Sequence, residues 1–275
     1  MAIIALASAS GSPGVSTTCV GLAMVWPRPA LLVEADPTGG AGVLAGYFRG
    51  QRDAAGVVEL VMAHRQGTLA AALPTMLVDL PGTQATVLVG TKAHEQAAGL
   101  GLLWDDLVPV LQDLSHRTGQ DVIVDVGRLG LDGWARPLFA AADVALLLVR
   151  DTLPGLAALR SWAATLGDDG PGHAVRVVTT GPRRTYSDAD ISATMGVPVL
   201  ASIAWQPDAA RVLSDGAAHP STGPFGWRTG ERGFAQGPLM RSITALGERA
   251  RALCTTDPEP TVVGLDSTDT TGADR

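Results

Sequence analysis

The sequence predicts an α/β fold, in which a mostly parallel twisted sheet is flanked by helices on both faces. Seven short apolar runs alternate with segments of helical character, which is the order that strand–helix–strand units produce. The runs are continuous rather than alternating, as in parallel strands that are buried on both faces. The predicted strands are residues 3–7, 30–33, 86–89, 121–126, 144–149, 175–179 and 199–203.

The helices are predicted between these strands. In residues 102–116, leucine and valine side chains recur every three or four positions, while acidic and amide side chains occupy the other side. Pro27 ends the first helix. The predicted helices are residues 17–25, 54–64, 102–116, 154–166, 188–195 and 238–253.

Two further segments define the domain organisation. Residues 216–237 are rich in glycine and proline, which predicts a long connection that acts as a lid, a contact loop or an insert. From Thr255 onward the chain offers little to bury, and we interpret it as a disordered tail. We therefore expect one domain over residues 1–254 and an acidic tail over residues 255–275, which a length of 275 residues and 46% hydrophobic composition allow.

Composition argues against several classes of function. A net charge of −7 disfavours a general nucleic-acid or anionic-membrane surface, because both need a positive field. The two cysteines form no CxxC pair, so neither a disulfide framework nor a zinc site is expected. Residues 1–9 lack the basic start of a signal peptide, and no apolar run reaches the roughly 20 residues of a membrane span. We expect a cytoplasmic protein.

The most informative segment is residues 8–18, SASGSPGVSTT, which joins the first predicted strand to the first predicted helix. Small residues let backbone N–H groups approach an anion, and the helix N-terminus adds a favourable dipole. A hydroxyl at Ser16 is also suited to Mg²⁺. An ordinary turn between a strand and a helix is the alternative. The candidate phosphate-binding residues are Gly11, Ser12, Pro13, Gly14, Val15, Ser16 and Thr17.

Two acids follow predicted strands. Asp36 lies just after the second strand and Asp125 lies near the end of the fourth. Ligands of open α/β sheets bind at the carboxyl ends of the strands, so both positions favour a functional role. The alternatives are a turn former before Pro37 for Asp36 and a helix cap for Asp125.

Taken in order, these segments resemble the MinD/ParA family of P-loop ATPases. Residues 10–17, SGSPGVST, lie over the family's Lys-Gly-Gly-x-Gly-Lys-Thr-Thr loop, and residues 31–39, LLVEADPTG, resemble its Asp-x-Asp-Pro-x-Gly signature. Further matches bring the resemblance to roughly residues 1–215. They lie at residues 121–125, 142–149, 196–200 and 203–208.

The resemblance implies roles for particular residues. Asp36 corresponds to a catalytic aspartate linked to hydrolysis, and Ser16 and Asp125 correspond to Mg²⁺ ligands. Pro207 and Asp208 match a Pro–Asp loop near the nucleotide. The implied cofactors are ATP or ADP with Mg²⁺.

Two departures from the family pattern qualify this function. Val15 stands where the family has its general P-loop lysine, and Ser10 stands where it has the lysine that reaches the partner subunit's phosphates. Each loss removes a charge-assisted contact of about 1.5–3 kcal/mol, or roughly ten- to hundredfold in affinity. We expect a nucleotide-binding protein with weak or absent ATPase activity that positions or partitions cellular cargo. The alternative is a catalytically dead scaffold, and a small-molecule kinase or amidoligase is a distant third.

The expected partner is another protein. Residues 225–227, Phe-Gly-Trp, offer an exposed aromatic anchor or, alternatively, two aromatics that pack on the core. The acidic tail has no basic amphipathic character, so we expect no membrane-targeting helix. Nucleic-acid binding is not expected from the acidic composition. We also expect no ATP-dependent homodimer, because Ser10 cannot bridge two subunits.

Overall fold

A computed structural model describes residues 2–168, 174–183, 185–219 and 231–255. This part of the chain forms one sheet with the strand order β3-β4-β2-β5-β1-β6-β7-β8, in which β3 alone is antiparallel to its neighbour. The strands are β1 (Ile3–Ser8), β2 (Ala30–Glu34), β3 (Val78–Asp79), β4 (Ala85–Leu88), β5 (Asp121–Arg128), β6 (Val144–Arg150), β7 (Ala174–Thr180) and β8 (Val199–Ile203).

Helices connect the parallel strands. A π-helical turn over Val43–Tyr47 and 3₁₀ segments over Leu73–Met76 and His94–Leu100 lie between them. The α-helices are α1 (Val15–Val25), α2 (Val57–Arg65), α3 (Leu69–Ala72), α4 (Gly101–Thr118), α5 (Arg136–Ala140), α6 (Leu153–Asp168), α7 (Asp188–Met195), α8 (Pro207–Ser214), α9 (Glu231–Ala235) and α10 (Pro238–Thr255).

The sheet buries both of its faces, as the continuous apolar strands predict. In β1, Ile4 and Leu6 belong to a buried cluster with residues of α1, α8 and α10. Ile3, Ala5 and Ala7 belong to a second cluster with residues of α2, α4, α5 and α6. Successive side chains of a strand point to opposite faces, so one strand contributes to both cores.

The predicted fold class is confirmed, and the seven predicted strands occur with bounds within two residues of those expected. The six predicted helices occur with bounds within three residues. The sequence analysis missed the two-residue strand β3 and the helices α3, α5, α8 and α9. The predicted Pro–Asp loop at Pro207 and Asp208 is instead the first turn of α8, where proline is tolerated because its missing N–H would have no intrahelical partner.

Two predicted segments fall partly or wholly outside the described residues. The connection over residues 216–237 contains the short helix α9, and its residues 220–230, including the aromatic pair at 225 and 227, lie outside the described part. The predicted tail lies outside it from residue 256 onward. Among the described residues, no helix combines the length and apolar character needed to cross a bilayer.

A buried carboxylate links several segments at the end of the sheet where the parallel strands begin. Asp121, at the start of β5, is fully buried and accepts hydrogen bonds from the Ala2 amide at 2.9 Å and the Trp26 indole at 2.9 Å. The Arg28 guanidinium also binds it, through Nε at 3.1 Å and through Nη2. This cluster joins the end of α1 to the amino-terminal ends of β1 and β5, at the edge opposite the candidate site.

Candidate functional site

The segment between β1 and α1 forms a tight loop. Gly11 and Gly14 have φ angles of +65° and +100°, a region that glycine enters without steric cost. The Gly14 carbonyl accepts the amide and the hydroxyl of Thr18, at 2.9 and 2.8 Å, which closes the first turn of α1. The first amides of an α-helix have no intrahelical acceptor, and this turn contains no acidic side chain. The loop therefore presents backbone donors and a positive dipole end to an anion.

A cavity of about 390 Å³ opens beside this loop. Its volume lies at the lower end of the range of about 300–1,000 Å³ that is usual for small-molecule sites. All seven loop residues predicted to bind phosphate line it, together with Asp36, and their roles as ligands remain predictions. The lining residues are Ser8, Gly11, Ser12, Pro13, Gly14, Val15, Ser16, Thr17, Asp36, Thr38, Gly127 and Arg128.

Asp125 lies beneath the loop, and its side chain is buried. The Gly127 amide donates a hydrogen bond to its Oδ1 at 3.0 Å, and the Ser16 hydroxyl also hydrogen-bonds to it. The pKa of Asp125 is raised to about 7, chiefly by burial and also by the charges of Asp36 and Glu34, against the lowering effect of the two hydrogen bonds. Asp125 caps no helix, because the next helix, α5, begins only at Arg136.

The contact between Ser16 and Asp125 brings together the two predicted metal ligands. One hydroxyl and one carboxylate fit Mg²⁺, which keeps several waters and takes the rest of its ligands from substrate phosphates. Within the described ranges, no group of three or more His, Cys, Asp or Glu side chains has the arrangement of a protein-only metal site. The donor set therefore fits a metal that arrives with a phosphate ligand.

Glu34, the first acid of the Asp-x-Asp-Pro-x-Gly-like segment, connects two loops through hydrogen bonds. Its Oε1 accepts the Val43 amide at 3.1 Å, and its Oε2 accepts the Gly90 amide at 2.9 Å. Burial raises the pKa of Glu34, while these amides lower it. The side chain thus joins the segments that follow β2 and β4, and it is not among the residues that line the cavity.

Asp36 forms a turn and also lines the cavity, and its catalytic role remains a prediction. Its Oδ1 accepts the Thr38 amide at 2.9 Å and the Thr38 hydroxyl at 2.8 Å. Its carboxylate rests on Gly127, where an added Cβ would lie 2.3 Å from the Asp36 Cγ. Gly127 has a φ of +70°, so both the backbone and the contact require glycine at this position.

A second cavity of about 370 Å³ lies beyond β6. Its lining includes Asp151, whose Oδ2 accepts the Thr185 amide at 2.9 Å, and the Thr179 and Ser202 hydroxyls, which lie 2.6 Å apart. Pro207 and Asp208 begin α8 and line neither cavity, and their role in nucleotide binding remains a prediction.

Two arginines near the loop were missed from the sequence. Arg128 ends β5 and lines the first cavity. Arg150 ends β6, donates from Nη2 to the Ser12 carbonyl at 3.1 Å, and places its guanidinium 5.3 Å from the centre of the Trp205 ring. The available signal was a basic residue at the carboxyl end of each of the two strands that flank β1.

Fold and loop together define an α/β protein in which a glycine-containing loop between the first strand and the first helix borders a cavity at the carboxyl ends of parallel strands. No protein-family model matches the sequence, and no curated protein sequence matches it significantly. The solved structures do contain similar folds.

The cell division ATPase MinD of Pyrococcus furiosus superposes with a TM-score of 0.68 at 18% identity, over 92% of this chain and 99% of that one. MinD of Pyrococcus horikoshii in complex with Mg-ADP gives 0.69 at 17% identity, over 92% and 97%. A ParA family ATPase from Chlorobium tepidum gives 0.66 at 14% identity, over 90% and 97%. The chain therefore has the fold of the MinD/ParA ATPases, as the sequence motifs predict.

Proposed function

We propose that this chain is a MinD/ParA-like nucleotide-binding protein with weak or absent ATPase activity, which positions or partitions cellular cargo. The observation that carries the proposal is the cavity between the loop and the carboxyl ends of β1, β2 and β5. The loop residues and Asp36 line this cavity, while Asp125 lies buried beneath the loop. This is the place where open α/β sheets bind ligands.

The proposed cofactors are ATP or ADP with Mg²⁺. Backbone amides of residues 11–17, except that of Pro13, which has no N–H, would hold the phosphates, and Ser16 and Asp125 would hold the metal. Bound Mg²⁺ would neutralise phosphate charge. Support comes from the similar structures, which include a complex of Pyrococcus horikoshii MinD with Mg-ADP and an ATP complex of a Cyanothece McdA variant.

Weak or absent turnover follows from the loop chemistry. Val15 is only 6% exposed and packs into the apolar cluster of α1, and Ser10 is uncharged. The loop therefore offers no ammonium group to the charge that grows during phosphoryl transfer. The same observation favours the second candidate, a pseudo-ATPase that retains the fold as a scaffold or localisation platform.

A protein is the proposed partner, and one of the similar structures is a MinC:MinD complex from Aquifex aeolicus. We propose that ATP does not drive homodimerisation, because Ser10 cannot contact a second subunit's phosphates. Light scattering with and without ATP tests this point, and an ATP-dependent doubling of mass would contradict it.

Calorimetric titration of the purified protein with ATP, ADP and GTP in the presence of Mg²⁺ tests the proposed function. Micromolar binding of an adenine nucleotide would support a nucleotide switch. Binding without measurable phosphate release would favour the scaffold candidate. Absence of binding up to millimolar nucleotide would refute nucleotide binding altogether.

A further inference from the structure

Arg128 reaches the cavity because β5 contains an irregularity. In the pairing of β1 with β5, Leu6 is opposite Asp125 and Ala7 is opposite Gly127, so Val126 has no partner. A bulge of one residue changes the face to which the following side chains point, and bulges re-aim side chains next to active sites. Without this bulge, Arg128 would pair with the residue that follows Ser8.

The backbone fixes Arg128 at the start of the loop. Arg128 is paired with Ser8, and the next amide, that of Leu129, donates to the Ser8 carbonyl at 3.0 Å. Arg128 therefore lies beside the last residue of β1, directly across the sheet. Its side chain is exposed and lines the cavity formed by residues 11–17.

The N–H donors of the Arg128 guanidinium are not used by other described residues. Among the described residues it forms no hydrogen bond or ion pair, although Asp36 lines the same cavity. It is also the one basic side chain among the described residues that line this cavity. Arg150 differs, because its Nη2 is already bonded to the Ser12 carbonyl from outside the cavity. Arg150 positions the loop, whereas Arg128 faces the space that the loop encloses.

We infer that Arg128 binds the phosphate groups of the ligand and supplies the positive charge that Val15 and Ser10 do not. The inference rests on the proposed nucleotide-binding function and names the residue on which the affinity of that site depends. A guanidinium presents its N–H groups as a planar fork that matches two phosphate oxygens, and it stays charged at every working pH. Loop amides would then bind the phosphates from the side of α1 and Arg128 from the side of β5.

The test compares Arg128→Gln with Arg65→Gln. Arg65 is an exposed arginine at the end of α2, outside the cavity lining, so the control removes the same charge elsewhere. Each protein is titrated by calorimetry with Mg·ATP and with inorganic tripolyphosphate, which has phosphates and no base. Circular dichroism and thermal unfolding without ligand establish that each variant is folded.

We expect Arg128→Gln to weaken binding of both ligands roughly ten- to hundredfold, as expected for the loss of one charge-assisted contact. Arg65→Gln should bind like the wild type, and Arg128→Lys should recover part of the affinity. Equal binding by folded Arg128→Gln and wild type would overturn the role of Arg128 and leave nucleotide binding intact. A wild-type protein that binds neither ligand would overturn the inference together with the proposed function.

Discussion

The buried Asp125 carboxyl group makes the folded protein sensitive to pH in a calculable way. Its pKa is raised to about 7 from an ordinary value of 3.8, chiefly because burial disfavours the charged form. The folded state therefore holds a proton that the unfolded chain has already released. The variant Asp125→Asn removes this titration while keeping an oxygen that can accept the Gly127 amide.

The sign follows from proton linkage. Between about pH 4 and pH 7 the folded protein binds more protons at this site than the unfolded chain, so stability falls as pH rises. For the two pKa values above, the free-energy cost of Asp125 to the folded state grows by about 2–3 kcal/mol between pH 5 and pH 8. The stability difference between Asp125→Asn and wild type should grow by the same amount in favour of the variant.

Urea denaturation of both proteins at pH 5 and pH 8, with EDTA present to exclude divalent cations, measures this change. The matched control is Asp105→Asn, which removes a carboxylate from the exposed side of α4. A stability difference for Asp125→Asn that stays constant between the two pH values would refute the reasoning. Excess Mg·ATP should reduce the pH dependence if Asp125 is a metal ligand, because a bound cation stabilises the ionised carboxylate.

The remaining predictions concern three other positions. Gly127→Ala should destabilise the protein by about 1 kcal/mol or more beyond Gly119→Ala in urea denaturation, because both glycines have φ near +70° but only Gly127 contacts Asp36; equal losses would contradict the contact. Asp121→Asn should cost about 1–3 kcal/mol, since it leaves the partly exposed Arg28 and two other donors around an uncharged group, without changing the ATP affinity of the folded fraction. Val15→Lys should raise ATP affinity roughly tenfold in calorimetry, whereas Val25→Lys, at the other end of α1, should not. Unchanged affinity in Val15→Lys would mean that the loop is not shaped for phosphate.

The sheet was predictable because its strands are mostly apolar. Six of the seven predicted runs are followed by glycine or a polar residue, and burial on both faces leaves no alternation to confuse the assignment. The strand β3 escaped prediction because two residues, Val78 and Asp79, carry no periodicity. The first turn of α8 escaped because Pro207 and Asp208 are equally common in loops and at helix starts.

The candidate site was predictable only in part. The loop and Asp36 could be located because they follow strands in the expected order, and the structure places them around one cavity. The structural role of Glu34 could not be predicted, because its partners Val43 and Gly90 are set by the packing of two separate loops. Arg128 was missed because its position depends on the β5 bulge, which has no sequence signal of its own.

The location of the positive charge has consequences for catalysis as well as affinity. A lysine at position 15 would act from the first turn of α1, whereas Arg128 would act from β5, where it follows the glycine that contacts Asp36. A cation on β5 can strengthen binding of the nucleotide in the ground state without stabilising the charge that develops on the transferred phosphoryl group in the transition state. Only interactions that are stronger in the transition state raise turnover. A protein that binds Mg·ATP through Arg128 and does not hydrolyse it would agree with both the nucleotide-binding proposal and the scaffold alternative. Nucleotide affinity and the rate of hydrolysis must therefore be measured separately.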